Sequence, residues 1–562
     1  MGDKAGARET VLLIASKIVL FLVLPLYVVL RVFFLATSDL GPWTFFSWVV
    51  FFAELYFIIH ASNYLVSFIR STKHYGRLKD SVAKRYGSEP HVAVLIPVYN
   101  EPPQIVDETV AAAMRMDYGN KSVYLLDDSD RSEIVTEMEA IAKKHGVQLV
   151  RRNSRVGFKA GSINHVVPRL ESGYIAVFDA DQQPMRDFLS KIIPIFEANA
   201  DMGYVQTPQL PRKSPQGAGF VETAASASQF IFYRHICEGK GTISAQFSCG
   251  SNVVYRKTAL ESLKREEDGH AIYLDEWSVT EDYATSVLMH EKGWKSLFYN
   301  ETWGEGLVPA SLDAFEAQRA RWAIGTTGVF LRYLPRILFG RNFSWEQKWE
   351  YFISGTYFFL GIANFIMIVN TAVFVLFDIP LYTSLPLVIF FFNTVIFYAS
   401  QGMRGNGLKD LLYEQVLNFI MFPLYIKAVL SAITGRKASF SVTHKYDTSS
   451  SGSGSPDLGA QLATLLFCLF VFAIGVRTYL LGHEESLLFN LFWVAYTIAM
   501  LTAGIALVGK QYHKAGQTTA RASPMPRLFG DGRQSWARPS VLFNQAAPAR
   551  SWLPQGRPGM PS

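Results

Sequence analysis

Tyr174-Ile175-Ala176-Val177-Phe178-Asp179-Ala180-Asp181 is a short apolar run stopped by two carboxylates. Two earlier stretches share its shape. Residues 91–97 are apolar and β-branched and end in Pro97-Val98-Tyr99-Asn100-Glu101-Pro102; residues 123–126 end in Asp127-Asp128. Helical stretches at 105–116 and 134–145 lie between the runs. Short buried strands that alternate with helices predict an α/β domain with a mostly parallel sheet. Ligands bind such sheets beyond the carboxyl ends of the strands, and each of these three ends is polar or acidic.

The 562-residue chain is 49% hydrophobic, 14% aromatic and 18% charged. A charged share below the roughly 25% of average soluble domains rules out a disordered chain and argues against an all-soluble one. Six segments reach the length of about 20 apolar residues that a bilayer-crossing helix needs: 11–35, 43–69, 351–377, 381–401, 459–481 and 486–508. The first is too long for a signal-peptide core, and Lys17 and Arg31 near its ends can snorkel to headgroups. Arg70, Lys73, Arg77, Lys79, Lys84 and Arg85 follow the second span, and Lys510 and Lys514 the sixth. The turns at 37–42, 378–380 and 482–485 carry Asp39, Asp378, Glu484 and Glu485 but no Lys or Arg. Positive flanks stay inside, which predicts both termini and residues 71–350 in the cytoplasm.

Residues 408–434 are basic at both flanks and hold Pro423, as in an amphipathic helix at the inner interface. Ser344-Trp345-Glu346-Gln347 reads as a capping box that opens another. Glu54, His60, Asn63, Asn364, Asn370 and Asn393 lie inside apolar spans. Such residues face a wet path or join helices by hydrogen bonds. Cys237, Cys249 and Cys468 are too few and scattered for a disulfide framework. The tail, 511–562, is rich in Pro, Gly, Ser and Arg and reads as disordered. Nothing in the chain asks for a nucleic-acid partner.

Asp179-Ala180-Asp181 has the spacing at which carboxylates serve one hard cation together with substrate phosphates. An acidic solvated turn is the plainer reading, and the apolar strand in front tips the balance toward a site. In Thr280-Glu281-Asp282, Asp282 is a candidate general base; Thr280 as helix cap with acids in the first turn fits equally. Gln318-Arg319-Ala320-Arg321-Trp322 joins a planar cation for phosphate to a flat ring for a sugar face, or else marks a helix at the lipid surface. Lys159 sits in a glycine-marked turn, Gly157-Phe158-Lys159-Ala160-Gly161.

In this order, Asp127-Asp128, Asp179-Ala180-Asp181, Thr280-Glu281-Asp282 and Gln318-Arg319-Ala320-Arg321-Trp322 resemble the motif series of membrane-embedded family 2 glycosyltransferases of the cellulose synthase type. Phe247-Ser248-Cys249-Gly250-Ser251 is similar to the family's acceptor-site finger, and Phe440-Ser441-Val442-Thr443-His444-Lys445 to its gating loop. The resemblance implies a GT-A domain inserted in a helical membrane bundle. It implies a UDP-sugar donor, Mg2+ or Mn2+, inversion at the anomeric carbon, and a growing polysaccharide extruded through the bilayer. Carried over, Tyr99, Glu101, Asp128 and Asp179 hold the uridine and Asp181 the metal, with Lys159 and Arg321 near the diphosphate. Asp282, beside Glu281, is the base; Gln318 belongs to the motif, and Trp322 stacks on the acceptor next to Cys249 and Gly250. Phe440, Val442, Thr443 and Lys445 close over the donor.

The implied order is two membrane helices and a basic linker (1–87), the catalytic domain (88–340), interfacial helices with two spans (341–435), the gating loop (436–457), two spans (458–510) and the tail (511–562). The expected place is a bacterial inner membrane, and accessory export subunits are an open partner class. Asp127-Asp128-Ser129 departs from the usual Asp-Asp-Gly, two spans rather than four precede the catalytic domain, and no PilZ domain follows the last span. UDP-glucose and a β-glucan fit best; chitin, hyaluronan or glucomannan synthesis, or non-processive loading of a lipid carrier, are the alternatives.

Overall fold

The structure, a computed structural model, describes residues 2–38, 41–82, 89–212, 218–267, 269–377, 385–435, 456–482 and 486–521. Its centre is a seven-stranded sheet. The strands are β1 (Val92–Val98), β2 (Lys121–Asp127), β3 (Gln148–Arg151), β4 (Tyr174–Val177), β5 (Met202–Gln206), β6 (Val253–Arg256) and β7 (Lys295–Phe298). They lie in the order β7-β5-β6-β4-β1-β2-β3. All neighbours run parallel except β6, which is antiparallel to both β4 and β5. Both faces are covered. Val92, Val94, Ile96 and Val98 enter one core with Val106, Val110 and Phe188, while Ala93 and Leu95 enter another with Ile163 and Leu260. This two-sided burial explains why β1 reads as a continuous apolar run rather than an alternating one.

Five described helices are long and apolar enough to cross a bilayer: Arg8–Thr37, Thr44–Ser71, Trp345–Leu376, Gly459–Leu480 and Leu487–His513. The segment read as interfacial forms two helices, Leu408–Ile420 and Phe422–Ile433, bent by 51°. Pro423 sits in the first turn of the second, where its missing N–H costs nothing. Counting this pair as one span gives six. The span expected at 381–401 is helical over Leu385–Met403. The capping box at Ser344 is present: its hydroxyl accepts the Gln347 N–H, and the Gln347 side chain accepts the Ser344 N–H.

Two expectations need correcting and one open choice is resolved. Arg31 does not snorkel; it is buried and pairs with Glu54 at 3.1 Å, and Tyr27 O–H donates to the same carboxylate at 2.9 Å. A charge in an apolar bundle is kept by such a partner. For several polar residues left open between a wet path and hydrogen bonding within the bundle, hydrogen bonding is the alternative that stands. Asn63 donates to Glu350 at 3.2 Å and accepts from Trp349 at 3.0 Å, while Asn370 and Asn393 bond carbonyls one turn back. Third, the Ser486–Arg521 helix runs into the segment read as disordered tail. Gln511 accepts from the Val221 N–H at 3.0 Å and donates to the Ala310 carbonyl at 2.7 Å, and Tyr512 O–H donates to Asp313 at 3.1 Å.

Glu350 ties the membrane helix Thr44–Val82 to the catalytic domain. It is 1% exposed, lies 3.2 Å from Arg70 and 3.7 Å from the equally buried Lys240, and accepts from Asn63. Glu350→Ala leaves Lys240 buried without its carboxylate, which should cost about 3–5 kcal/mol. Breaking the exposed Lys144–Asp107 pair should cost at most about 1 kcal/mol. Thermal unfolding of both variants in detergent checks the contrast.

Candidate active site

The chain winds from β1 through β2 to β3 on one side, then returns to β4 on the other side of β1. A crevice opens beyond strand ends at such a reversal, and the motif residues gather there. After β1, Asn100 takes a left-handed φ of 58°. The Tyr99 N–H then donates to Glu101 Oε2 at 2.5 Å, and the Tyr99 hydroxyl donates to Asp130 at 2.9 Å. The Arg155 guanidinium carbon stands 3.0 Å from the centre of the Tyr99 ring. After β2, buried Asp127 is paired with Arg151 and accepts the Ser129 N–H. Asp128 is gripped by both arms of Arg152, Nε at 2.9 Å and Nη2 at 2.6 Å.

After β4, the Asp179 N–H donates to Ser251 Oγ at 2.8 Å. Lys159, one residue into the Phe158–Val166 helix, bonds the Asp179 carboxylate and the Gly250 carbonyl. Asp181 is 4% exposed, and its Oδ2 accepts the Leu307 N–H at 3.2 Å. Among the described residues no three His, Cys, Asp or Glu side chains form a metal cage by themselves. An ion here suits the arrangement in which one or two carboxylates share it with substrate phosphates.

Thr280 occupies the N-cap of the Glu281–Glu291 helix, yet its side chain does not cap it. Its hydroxyl meets the Ser278 hydroxyl at 3.1 Å instead. The acids in the first turn therefore do the stabilising, through the helix dipole, and Asp282 Oδ1 accepts the Tyr283 N–H at 2.8 Å. Gly250 is the close neighbour. Its φ is +77°, and a methyl group on it would lie 2.9 Å from Asp282 Oδ2 and 3.4 Å from Lys159 Nζ. Cys249, beside it, donates its N–H to Gln206 Oε1 at the end of β5; all three cysteines are free.

The Leu312–Phe339 helix starts at Ser311, whose hydroxyl accepts the Ala314 N–H. It packs so closely on the Thr280 loop that a methyl on Gly325 would lie 2.6 Å from the Thr280 side chain. Gln318 and Arg319 are buried on this helix, Arg321 and Trp322 half-buried. Arg321 acts electrostatically on Glu281. Phe440, Val442, Thr443 and Lys445 lie outside the described residues.

Burial sets the electrostatics. It pushes the Glu101 carboxyl up to about 8, with Asp181 and Asp179 pushing the same way. Burial and then Glu281 raise Asp282 to about 7, against the pull of Lys159. Burial opposes the charge on Lys159, but Asp179, Glu281 and Asp282 overcome it and hold the ammonium above its usual range. The sequence analysis gave no place to Arg152 and Arg155. The run Arg151-Arg152-Asn153-Ser154-Arg155 was the available signal, basic residues directly after a strand end.

Residues 90–325 match the family described as Glycosyltransferase like family 2, and residues 257–446 match the family described as Cellulose synthase. Cellulose synthase 1 of Komagataeibacter xylinus is 28% identical over 445 residues, 75% of this chain and 27% of that protein. The cellulose synthase catalytic subunit (UDP-forming) of Pseudomonas fluorescens is 26% identical over 462 residues, 79% of this chain and 60% of that protein. That of Xanthomonas axonopodis pv. citri is 31% identical over 281 residues, 49% and 37% of the two chains. The chain thus spans less than two thirds of the length of each of these relatives. A mannosyltransferase of Pyrobaculum calidifontis, solved with GDP-Man and Mn2+, superposes with a TM-score of 0.43 at 16% identity, over 67% of this chain and 99% of its own.

Gly250→Ala should be destabilising twice over. A left-handed φ costs an L-residue about 1–2 kcal/mol, and the new methyl meets Asp282. Gly173, whose added methyl would touch nothing within 4 Å, is the control. Unfolding midpoints should fall for Gly250→Ala and stay put for Gly173→Ala.

Proposed function

We propose that this chain, which matches the family 2 glycosyltransferase and cellulose synthase families over residues 90–325 and 257–446, is a cellulose synthase-like family 2 glycosyltransferase with the GT-A fold, that it polymerises a β-glucan from UDP-glucose and that it passes the product through its own membrane helices. The observation that carries the reading is the convergence at Gly250. Asp282 and Lys159 both face that residue, and Lys159 bonds Asp179 of the strand-end pair. A candidate base, a cation and a donor-side carboxylate thus share one pocket at the sheet's switch point.

In this reading Tyr99, Glu101, Asp128 and Asp179 bind the uridine, the last two after giving up part of their hold on Arg152 and Lys159. Lys159 and Arg321 face the diphosphate, and Trp322 with Cys249 and Gly250 holds the sugar that accepts. Asp282 takes the proton from the acceptor hydroxyl as its oxygen bonds the anomeric carbon. The bond from that carbon to the UDP oxygen breaks on the opposite face, so the configuration inverts. Glu281 keeps Asp282 basic by repulsion. Asp181 and Asp179 would hold Mg2+ or Mn2+, whose chemistry is to neutralise charge on the departing diphosphate. The donor set fits: the Glu101 carboxyl is pushed up in part by Asp181 and Asp179, and a cation relieves that crowding. The catalytic domain lies on the cytoplasmic side of a bacterial inner membrane, as the basic flanks of the spans favour.

Protein in nanodiscs, given UDP-glucose with Mg2+ or Mn2+, should yield an insoluble glucan by linkage analysis; release of UDP with no polymer would overturn the reading. Asp282→Asn should cut transfer by about 10²–10⁴-fold and keep UDP affinity, whereas Asp181→Asn should lose the metal-dependent part of UDP affinity as well. Titration of UDP with and without metal separates the two. With the folded-state pKa of Asp282 raised to about 7, the base is protonated below that value. The initial rate should climb with pH up to about 7 and level above it, with no such step in the residual rate of Asp282→Asn.

A further inference from the structure

Arg319 lies in the motif stretch, and its guanidinium reaches toward the Phe220–Ile231 helix. It is 8% exposed on the Leu312–Phe339 helix. Its guanidinium carbon stands 4.8 Å from the Phe315 ring centre and 5.1 Å from that of Trp322, one helical turn to either side. Nη2 donates to Ser228 Oγ at 2.6 Å, across to the Phe220–Ile231 helix. The Nε–H has no hydrogen-bond partner among the described residues. The charge is felt by Glu414 on the Leu408–Ile420 helix and by the hydroxyls of Tyr357 and Tyr425. Glu414 in turn accepts from Asn418, which accepts from Tyr425 at 3.2 Å.

We propose that Arg319 is a positioning residue for the acceptor: it clamps the Trp322 ring in one orientation and ties that ring to the bent 408–433 helix pair. The inference rests on Trp322 being the acceptor platform. Burying a guanidinium is costly unless its contacts repay it, and here one N–H goes unmade. What the site gains is a cation flat against two rings, an interaction that strengthens when desolvated. A tryptophan held in one rotamer is a ready platform for a sugar face. A free one must be ordered each time a sugar arrives, and ordering an aromatic side chain weakens binding. The Ser228 bond fixes the guanidinium from the far side, and the Trp322 ring itself packs on the core that holds Val416, Leu417 and Phe422 of the 408–433 pair.

The test is binding of a soluble β-glucan oligosaccharide to the full chain in nanodiscs, measured by calorimetry with UDP present. Arg319→Met keeps the stem and removes the cation. It should leave UDP affinity unchanged and weaken oligosaccharide binding about tenfold, the scale of one desolvated cation–π contact. In turnover the oligosaccharide KM should rise while kcat at saturation holds. Arg319→Lys, which keeps charge without a planar face, should recover part of the affinity and guards against misfolding of the Met variant. The double variant decides the mechanism. If Arg319 acts through Trp322, adding Arg319→Met to Trp322→Ala should weaken binding no further. Additive losses, or a drop in kcat at unchanged KM, would overturn the positioning role. Oligosaccharide binding that Trp322→Ala does not disturb would overturn the acceptor platform itself, and with it both readings.

Discussion

Three carboxylates, Asp179, Glu281 and Asp282, act on one ammonium group, Lys159. Without that cation the three carboxylates could not all stay ionised so close together, because neighbouring like charges drive one another to protonate. The sequence supplies the cation at the start of a helix entered through a left-handed glycine, Gly157. It supplies the carboxylates from β4 and from the first turn of the 281–291 helix. Gly250 lets the loop between them approach. The sheet order, the glycine and the helix start all serve one charge balance, which an incoming diphosphate would disturb and a metal would restore.

The second organising element is the 312–339 helix. Its first half, with Leu312, Phe315 and Ala323, lies in a core with Val416, Leu417, Ile420, Leu501 and Val508. Its second half, with Val329, Phe330, Tyr333 and Ile337, lies in another with Tyr283, Ala284 and Val287. One rigid rod therefore joins the helix that carries Asp282 to the apolar bundle, and Trp322 sits between the two cores. Helices seated on both sides are precise supports for a site.

What the sequence revealed and what it hid follow one physical rule. The ends of β1, β2 and β4 were legible because a long apolar run against an abrupt carboxylate is a local signal. So was the box at Ser344, where every partner lies within three residues. β3 and β6 are as short as β4 but end in Arg151 and Arg256 with no carboxylate to mark them, and nothing local announces that β6 runs antiparallel. The Arg152 fork on Asp128 spans 24 positions, and Arg31 meets Glu54 across 23. Pairings of that kind are set by how elements pack. The Thr280 cap failed for a similar reason: Ser278 offers its hydroxyl a competing partner, a choice that no capping pattern encodes.

The contacts at Gln511 and Tyr512 have a consequence for how the molecule comes into being. The core around Leu312 and Phe315 is completed by Leu501 and Val508, and the Val221 N–H and Ala310 carbonyl find partners in Gln511. A ribosome delivers those partners long after the 312–339 helix that they complete. The strands and the first carboxylates can assemble while synthesis continues, since domains fold as units from the N-terminal side. The seat of the 312–339 helix stays open until the 486–521 helix has been made and has packed against it. The nascent chain thus carries an unfinished apolar socket while everything between these two helices is made, and the candidate site is complete only once the later helix has docked.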